Sequence, residues 1–327
     1  MSWERKVRTG AVAASVLVLG IVLSRTNLAE IRRAFTSIDP IWVLWVLVLN
    51  VLNTWIEAVR WKLILSAVKK RARLSSVLAG ILVGVAGNTV LPLRLGDGAR
   101  AYFVARKERV RLAGCFSTVV LDRAADVAFF LVLVVVTAFF FSLPPSVEYA
   151  GILIGGGLGV ALVALIGLSA YRERNHAKAP RGIPGSWLSD QIAHFTEALS
   201  VLRNASILLP TGALSATSWA MRVAMTWAMF RAFHLDLPPA AAAVVLIFVN
   251  LGIAVVNSPA NLGGFELAAV AAFKLLGLNT ELGLSYAIAL HIVEVVPMAL
   301  AGALVLWLSG FKSAELLHPV SGDVAPQ

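Results

Sequence analysis

The fold class this sequence predicts is an all-α polytopic membrane protein of about eight transmembrane helices. Re-entrant or broken helices accompany them, and the chain divides into two pseudo-symmetric halves. Three observations predict it. Hydrophobic residues make up 59% of the 327-residue chain and charged residues 14%, where ordinary soluble domains carry about 25% charge. Mean hydropathy is +0.83. Finally, apolar stretches recur along the whole chain, and two of them are interrupted by the same phrase, P-x-x-L-G, at Pro92–Gly96 and Pro259–Gly263.

The elements follow in order. Residues 10–24 are apolar after the basic Met1–Arg8 and resemble a signal-peptide core. No small-x-small cleavage site follows and Arg25 comes next, so this is read as an uncleaved first helix. In 24–39, Leu28, Ile31, Phe35 and Ile38 recur at helical spacing opposite Glu30 and Arg33, as in a helix lying in the membrane interface. Stretches at 40–59, 76–95, 113–143, 149–170, 205–231, 239–257, 261–277 and 283–309 are long enough, or nearly so, to cross about 30 Å of hydrocarbon. The stretch 113–143 is too long for one simple span. A charged linker with Pro and Gly follows Tyr171. Residues 189–203 then form a second amphipathic element, with Ser189 as N-cap. The chain is thus one integral membrane domain, 1–327, with halves 1–170 and 189–327 joined by 171–188.

Basic residues choose the topology. Both 60–74 (Arg60, Lys62, Lys69, Lys70, Arg71, Arg73) and 94–111 (Arg94, Arg100, Arg106, Lys107, Arg109, Arg111) are strongly basic, yet they flank the single stretch 76–95. By contrast, 144–148 and 232–238 hold no Lys or Arg. If 76–95 dips into the membrane and returns, both basic segments and both termini are cytoplasmic, in the cell membrane. Only 24–39, with Arg25, Arg32 and Arg33, runs against that arrangement. The net charge of +10 is expected to face the anionic inner leaflet rather than nucleic acid. Cys115 is the single cysteine and the five histidines show no zinc spacing, so no metal or cofactor is expected. No G-x-S-x-G, H-E-x-x-H, Walker or D-x-D phrase supports an enzyme.

The repeated phrase is the leading pointer to a site. Proline removes a backbone donor and stops or kinks a helix, and broken helices at matching positions mark substrate sites in transporters built from repeats. Each copy has an asparagine upstream (Asn88, Asn257) and an acid downstream (Asp97, Glu266), and the copies lie roughly half the chain apart. Chance repetition of a short phrase is the alternative. Ionisable residues within apolar stretches are the other candidates. Asp122, Arg123 and Asp126 form one dense group, with Arg123 either a phosphate ligand or an interhelical lock. Glu57 and Arg60 are within i, i+3 reach, which favours local pairing. Arg222 has no acid on its own helix and is either a tether or an anion ligand. His291 and Glu294 stand one turn apart, as a proton relay or a pair that satisfies itself.

Taken together, Arg60-Trp61-Lys62, Gly87-Asn88-x-x-Leu-Pro92-x-Arg94-x-Gly96-Asp97-x-x-Arg100, Leu121-Asp122-Arg123-x-x-Asp126 and Ser258-Pro259-x-x-x-Gly263-Gly264-x-Glu266 resemble a known set. The sequence is similar over nearly its whole length to the lysylphosphatidylglycerol synthase transmembrane-region family of flippase-like membrane proteins. It departs from the family pattern at Asp97 and Asp122, where the family usually has Glu. The charge is kept and the reach shortened by one methylene. The resemblance implies lipid handling: movement of a phosphate-bearing or glycosylated lipid between leaflets, without the separate domain that makes the lipid. The partner expected is an anionic phospholipid, glycolipid or polyprenyl-linked lipid, with a second copy or pathway enzymes beside it. Arg94, Arg100 and Arg123 would meet a phosphate, while Asn88, Asn257 and Glu266 would meet hydroxyls or amines, near Pro92, Pro259 and Asp97. The alternatives are an accessory lipid-binding subunit and a membrane-embedded transferase acting on a lipid-phosphate carrier.

Overall fold

The structure is a computed structural model that describes residues 36–91, 94–141, 205–256 and 258–310. The expected elements at 10–24, 149–170 and 189–203, the linker 171–188, and Pro92 and Asn257 lie outside the described residues. Within them are eight α-helices and one 3-10 turn, and no strand. The helices are α1 (Pro40–Leu65), α2 (Leu74–Val90), α3 (Gly96–Glu108), α4 (Leu112–Ala138), α5 (Ala205–Ala232), α6 (Pro239–Val256), α7 (Gly264–Leu275) and α8 (Thr280–Ser309), with the 3-10 turn Pro259–Asn261 before α7. Helices α1, α6 and α8 are long and apolar enough to cross a membrane. The expected stretch 76–95 is a short helix ending in a break, after which the polar helix α3 begins.

Helix ends follow local chemistry. Asp39 Oδ1 accepts the Ile41 N–H at 2.9 Å, and Pro40 occupies the first turn, where its missing donor costs nothing. Asn279 caps α8 by accepting from Glu281 N and Leu282 N. Gly310, at φ 69°, ends it. Inside α8, Pro297 cannot donate to the Val293 carbonyl, and its ring crowds that turn. That orphaned carbonyl and its neighbour, Glu294 O, are both met from α1. Asn50 Nδ2 donates to Glu294 O at 2.8 Å and, more weakly, to Val293 O at 3.4 Å. The buried Asn50 of α1 thus meets the backbone of α8 one turn before Pro297.

The burial pattern of α1 is inverted relative to a soluble helix. Its exposed residues include Ile41, Leu44, Trp45, Val48, Leu52 and Trp55, whereas Asn50, Asn53, Thr54 and Arg60 are buried. Helix α8 likewise exposes Ile292, Val296, Leu300, Leu304 and Trp307. An apolar stripe of that length is unstable against water and suited to hydrocarbon.

The chain contributes separate stretches to two compact units. The first comprises the described residues of 1–54, 81–100 and 219–313. Its core centres on Phe230, Phe273 and Tyr286, whose rings meet at 5.0–6.0 Å. The Tyr286 hydroxyl donates to Thr226 O at 2.7 Å, so the ring is buried without an unsatisfied donor. Where α5 meets α1, Trp42 and Trp227 pack edge to face at 5.7 Å, and Asp39 N donates to Ala232 O. The second unit comprises the described residues of 55–80 and 101–218. There Trp61 is fully buried and donates to Thr118 Oγ1 at 3.1 Å, so this tryptophan is a core residue rather than part of an interfacial belt.

Candidate functional site

In the first unit, the residues predicted from the repeated phrase form two helical hairpins, α2–α3 and α6–α7. In the first hairpin, α2 continues to Leu91, whose N–H bonds Gly87 O at 2.7 Å. The chain re-enters helix at Gly96, after Arg94 in a left-handed conformation (φ 55°). Asn88 Oδ1 accepts the Gly96 N–H at 2.8 Å, so it braces the hairpin from within. Asp97 lies in the first turn of α3, where the helix dipole favours an acid. The buried Arg100 guanidinium stands 3.4 Å from Asp97 Oδ1, an ion pair without hydrogen-bond geometry at Nε. Arg94 is exposed.

The second hairpin has the same construction. In the first, a Cβ on Gly96 would collide with Gly84 O and with Asn88, and one on Gly84 would press on Arg100. In the second, a Cβ on Gly264 would meet Gly252 O and Val256, and one on Gly252 would meet Ala268. One constant offset carries Gly84, Asn88, Gly96 and Arg100 onto Gly252, Val256, Gly264 and Ala268. Two helices can approach this closely only where neither has a side chain at the contact. The packing repeats at an offset of 168 residues and the P-x-x-L-G phrase at 167, so the two registers differ by one residue between the turn and the helix contact.

The turn of the second hairpin is held more elaborately. Pro259 is buried and opens the 3-10 turn, and Ser258 Oγ donates to Leu262 O at 2.6 Å. Ala260 (φ 52°), Asn261 (φ 57°) and Gly263 (φ 83°) all have positive φ. Glu266 is buried, and its Oε2 accepts the Gly263 N–H at 2.7 Å. Its Oε1 lies 2.7 Å from His291 Nδ1, and His291 Nε2 lies 2.7 Å from Ala260 O. The Phe265 ring stacks on the imidazole at 4.5 Å. The hydrogen bonds of His291 thus run to Glu266 and Ala260. Glu294 lies within electrostatic reach of His291 and of Arg222.

In the second unit, Arg60 is the centre of an ion cluster. Its Nε bonds Asp122 Oδ1 at 2.9 Å, and its Nη1 bonds Asp126 Oδ1 at 2.6 Å and Ser215 Oγ at 3.2 Å. The Arg60 side chain is 1% exposed and Asp122 3%. Arg123 reaches Asp126 Oδ2 at 3.0 Å and is 38% exposed. Glu57, which spacing pairs with Arg60, stays within electrostatic reach of it, while two acids a turn apart on α4 take the hydrogen bonds of the planar guanidinium. Arg60 as hub and Ser215 as its third partner are beyond sequence reasoning. The only signal was a cation at the end of an apolar stretch, with the Asp122/Asp126 pair elsewhere in the chain.

Comparison with known proteins gives a consistent result. Residues 9–302 match the family model described as the lysylphosphatidylglycerol synthase TM region. A UPF0104 membrane protein of Methanothermobacter thermautotrophicus is 25% identical over 288 residues, covering 78% of this chain and 80% of the relative. A UPF0104 membrane protein of Methanocaldococcus jannaschii is 29% identical over 119 residues, 36% of this chain and 35% of that one. A Haloferax volcanii protein named glycosyltransferase AglD is 23% identical over 313 residues, covering 81% of this chain but 50% of the relative.

Proposed function

Because this chain belongs to the lysylphosphatidylglycerol synthase TM-region family of membrane proteins, we propose that it is a flippase, moving a phosphate-bearing or glycosylated lipid between leaflets. The observation that carries this reading is the pair of glycine-registered hairpins, each broken at its turn. Backbone that leaves helical geometry within a membrane protein is tolerated only where protein or water covers it, and such breaks at matching positions are where transporters bind substrate. A lipid headgroup crossing hydrocarbon needs polar partners along its way, and arginines supply charge-assisted bonds to phosphate. In this reading Arg94 and Arg100 are the phosphate ligands of the first hairpin. The protein needs no catalytic group for this task.

Proteoliposomes with labelled phosphatidylglycerol, a glycolipid and a polyprenyl phosphate test the reading. Protein-dependent movement of at least one is expected, with Arg94→Gln slowing it by on the order of tenfold at unchanged melting temperature, the loss of one charged hydrogen bond. Rates equal to protein-free vesicles for all three would overturn it. A second reading, a lipid-binding module serving a transferase, draws support from the relative named glycosyltransferase AglD, of which this chain covers half. Lipid binding without movement would favour that reading.

The proposal places the protein in the cell membrane with both termini cytoplasmic. Arg71 and Lys107 are both exposed. Single cysteines there, on a Cys115→Ala background, are expected to react with an impermeant maleimide from the cytoplasmic side alone. Labelling from opposite sides would make α2 an ordinary crossing.

A further inference from the structure

The buried contact between Glu266 and His291 requires a proton. Ala260 O can only accept, so His291 Nε2, at 2.7 Å from it, carries hydrogen. Glu266 Oε2 is occupied by the Gly263 N–H. That leaves Oε1 facing Nδ1 at 2.7 Å. A bare carboxylate and a bare nitrogen lone pair repel at that distance, so one proton lies between them. Whether it rests on oxygen or nitrogen, the two groups hold it jointly.

We propose that Glu266 and His291 form a proton-binding site whose occupancy holds the α6–α7 turn closed. Both ends of the proton's seat are tied to that turn. His291 reaches across from α8 to Ala260 O, and Glu266 reaches back to Gly263 N. Between those anchors stand three residues at positive φ, two of them not glycine, a conformation that persists only under restraint. Loss of the proton as pH rises turns the central contact repulsive. One side chain must then withdraw, and the restraint goes with it. The side chains are 7% and 3% exposed and the imidazole is covered by Phe265, so exchange with water itself requires the turn to open. Among the described residues of the first unit, the other charged groups near this site are Glu294 on α8, within electrostatic reach of His291, and Arg222 on α5, within electrostatic reach of Glu294. Helix α6 carries no ionisable residue. Should the turn lie on the path of a lipid, an extension that rests on the flippase reading, the proton is the ion that drives movement.

The test is made on the full chain in nanodiscs, with Cys115→Ala and a spin label at Leu262→Cys, an exposed turn position. Glu266→Gln makes a permanently loaded clamp, because its amide oxygen accepts from Gly263 and its amide nitrogen donates to Nδ1. Over a titration from acid to alkaline pH, the parent's label is expected to pass from an immobile to a mobile spectrum, and the Gln variant's is expected to stay immobile. A parent spectrum that does not change, or a Gln variant that follows the parent, overturns the proposal. Should the Gln variant not fold, infrared difference spectra of the parent decide. A carboxyl or imidazolium band that appears and disappears over that range upholds the site, and a flat difference spectrum overturns it. In vesicles containing fluorescent phosphatidylglycerol, an imposed pH gradient is expected to drive lipid asymmetry in the parent and not in the Gln variant. Absence of any lipid movement in the parent counts against the flippase reading, while the label's pH response still decides the proton site.

Discussion

Replacing Arg60 with methionine is expected to destabilise the protein by about 3–5 kcal/mol, the cost of half-breaking a buried ionic group. Methionine fills similar volume, so the loss is electrostatic rather than a cavity. It would leave Asp122 almost wholly buried without its 2.9 Å partner, while Asp126 keeps Arg123 at 3.0 Å. Asp122 loses a direct bond deep in the interior, and adding Asp122→Asn to Arg60→Met is expected to restore part of the stability by removing a buried negative charge that has lost this cation. Lysine at position 60 should do worse than the native residue. An ammonium offers a point charge where Arg60 divides its fork among Asp122, Asp126 and Ser215. Thermal melts in detergent read all three variants. An Arg60→Met protein that melts with the parent would remove Arg60 as the hub of this unit.

The second large effect is expected at the hairpin contacts. Leucine at Gly96 or Gly264 has no room, because the first atom it adds collides with the carbonyl of Gly84 or Gly252 on the facing helix. Backbone cannot rotate aside as a side chain can, so the hairpin must splay. Overpacking a well-filled core costs about 1–3 kcal/mol, and a collision with backbone belongs at or above the top of that range. Gly98 supplies the control. It lies in α3, close to Gly96, and a Cβ there meets nothing within 4 Å. Gly98→Ala is expected to be neutral or to stabilise by up to about 1 kcal/mol through helix propensity. Equal melting temperatures for Gly96→Leu and Gly98→Ala would show that the α2–α3 contact does not matter.

Membrane character, the helical class and the matching breaks were legible in the residues themselves. A stretch such as 239–257, apolar throughout, has one solution in hydrocarbon: a helix, which bonds its own backbone groups. The helix α6 covers Pro239–Val256. The proline phrase was equally local, since proline's missing donor acts on its own chain wherever it stands. Spacing also pointed to Asp122, Asp126 and Glu266 as costly groups. It did not name their partners. His291 was set against Glu294, one turn away, but its ring bonds Glu266, 25 positions away in sequence. Arg60 was set against Glu57, but it bonds Asp122 and Asp126, 62 and 66 positions away.

The physical reason is one of range. Hydropathy, proline and helix spacing act within a few residues, so the sequence by itself determined the apolar helices, the broken helices and which segments are basic. Which buried charge meets which depends on how helices pack, and packing was decided where side chains are absent. Gly84 against Gly96, and Gly252 against Gly264, bring backbones together in one register. Asn50 finds its acceptors on another helix, at the turn that a proline there leaves one donor short. A side chain buried away from water takes its partner from whatever the tertiary structure places within about 3 Å, and sequence distance has no part in that choice.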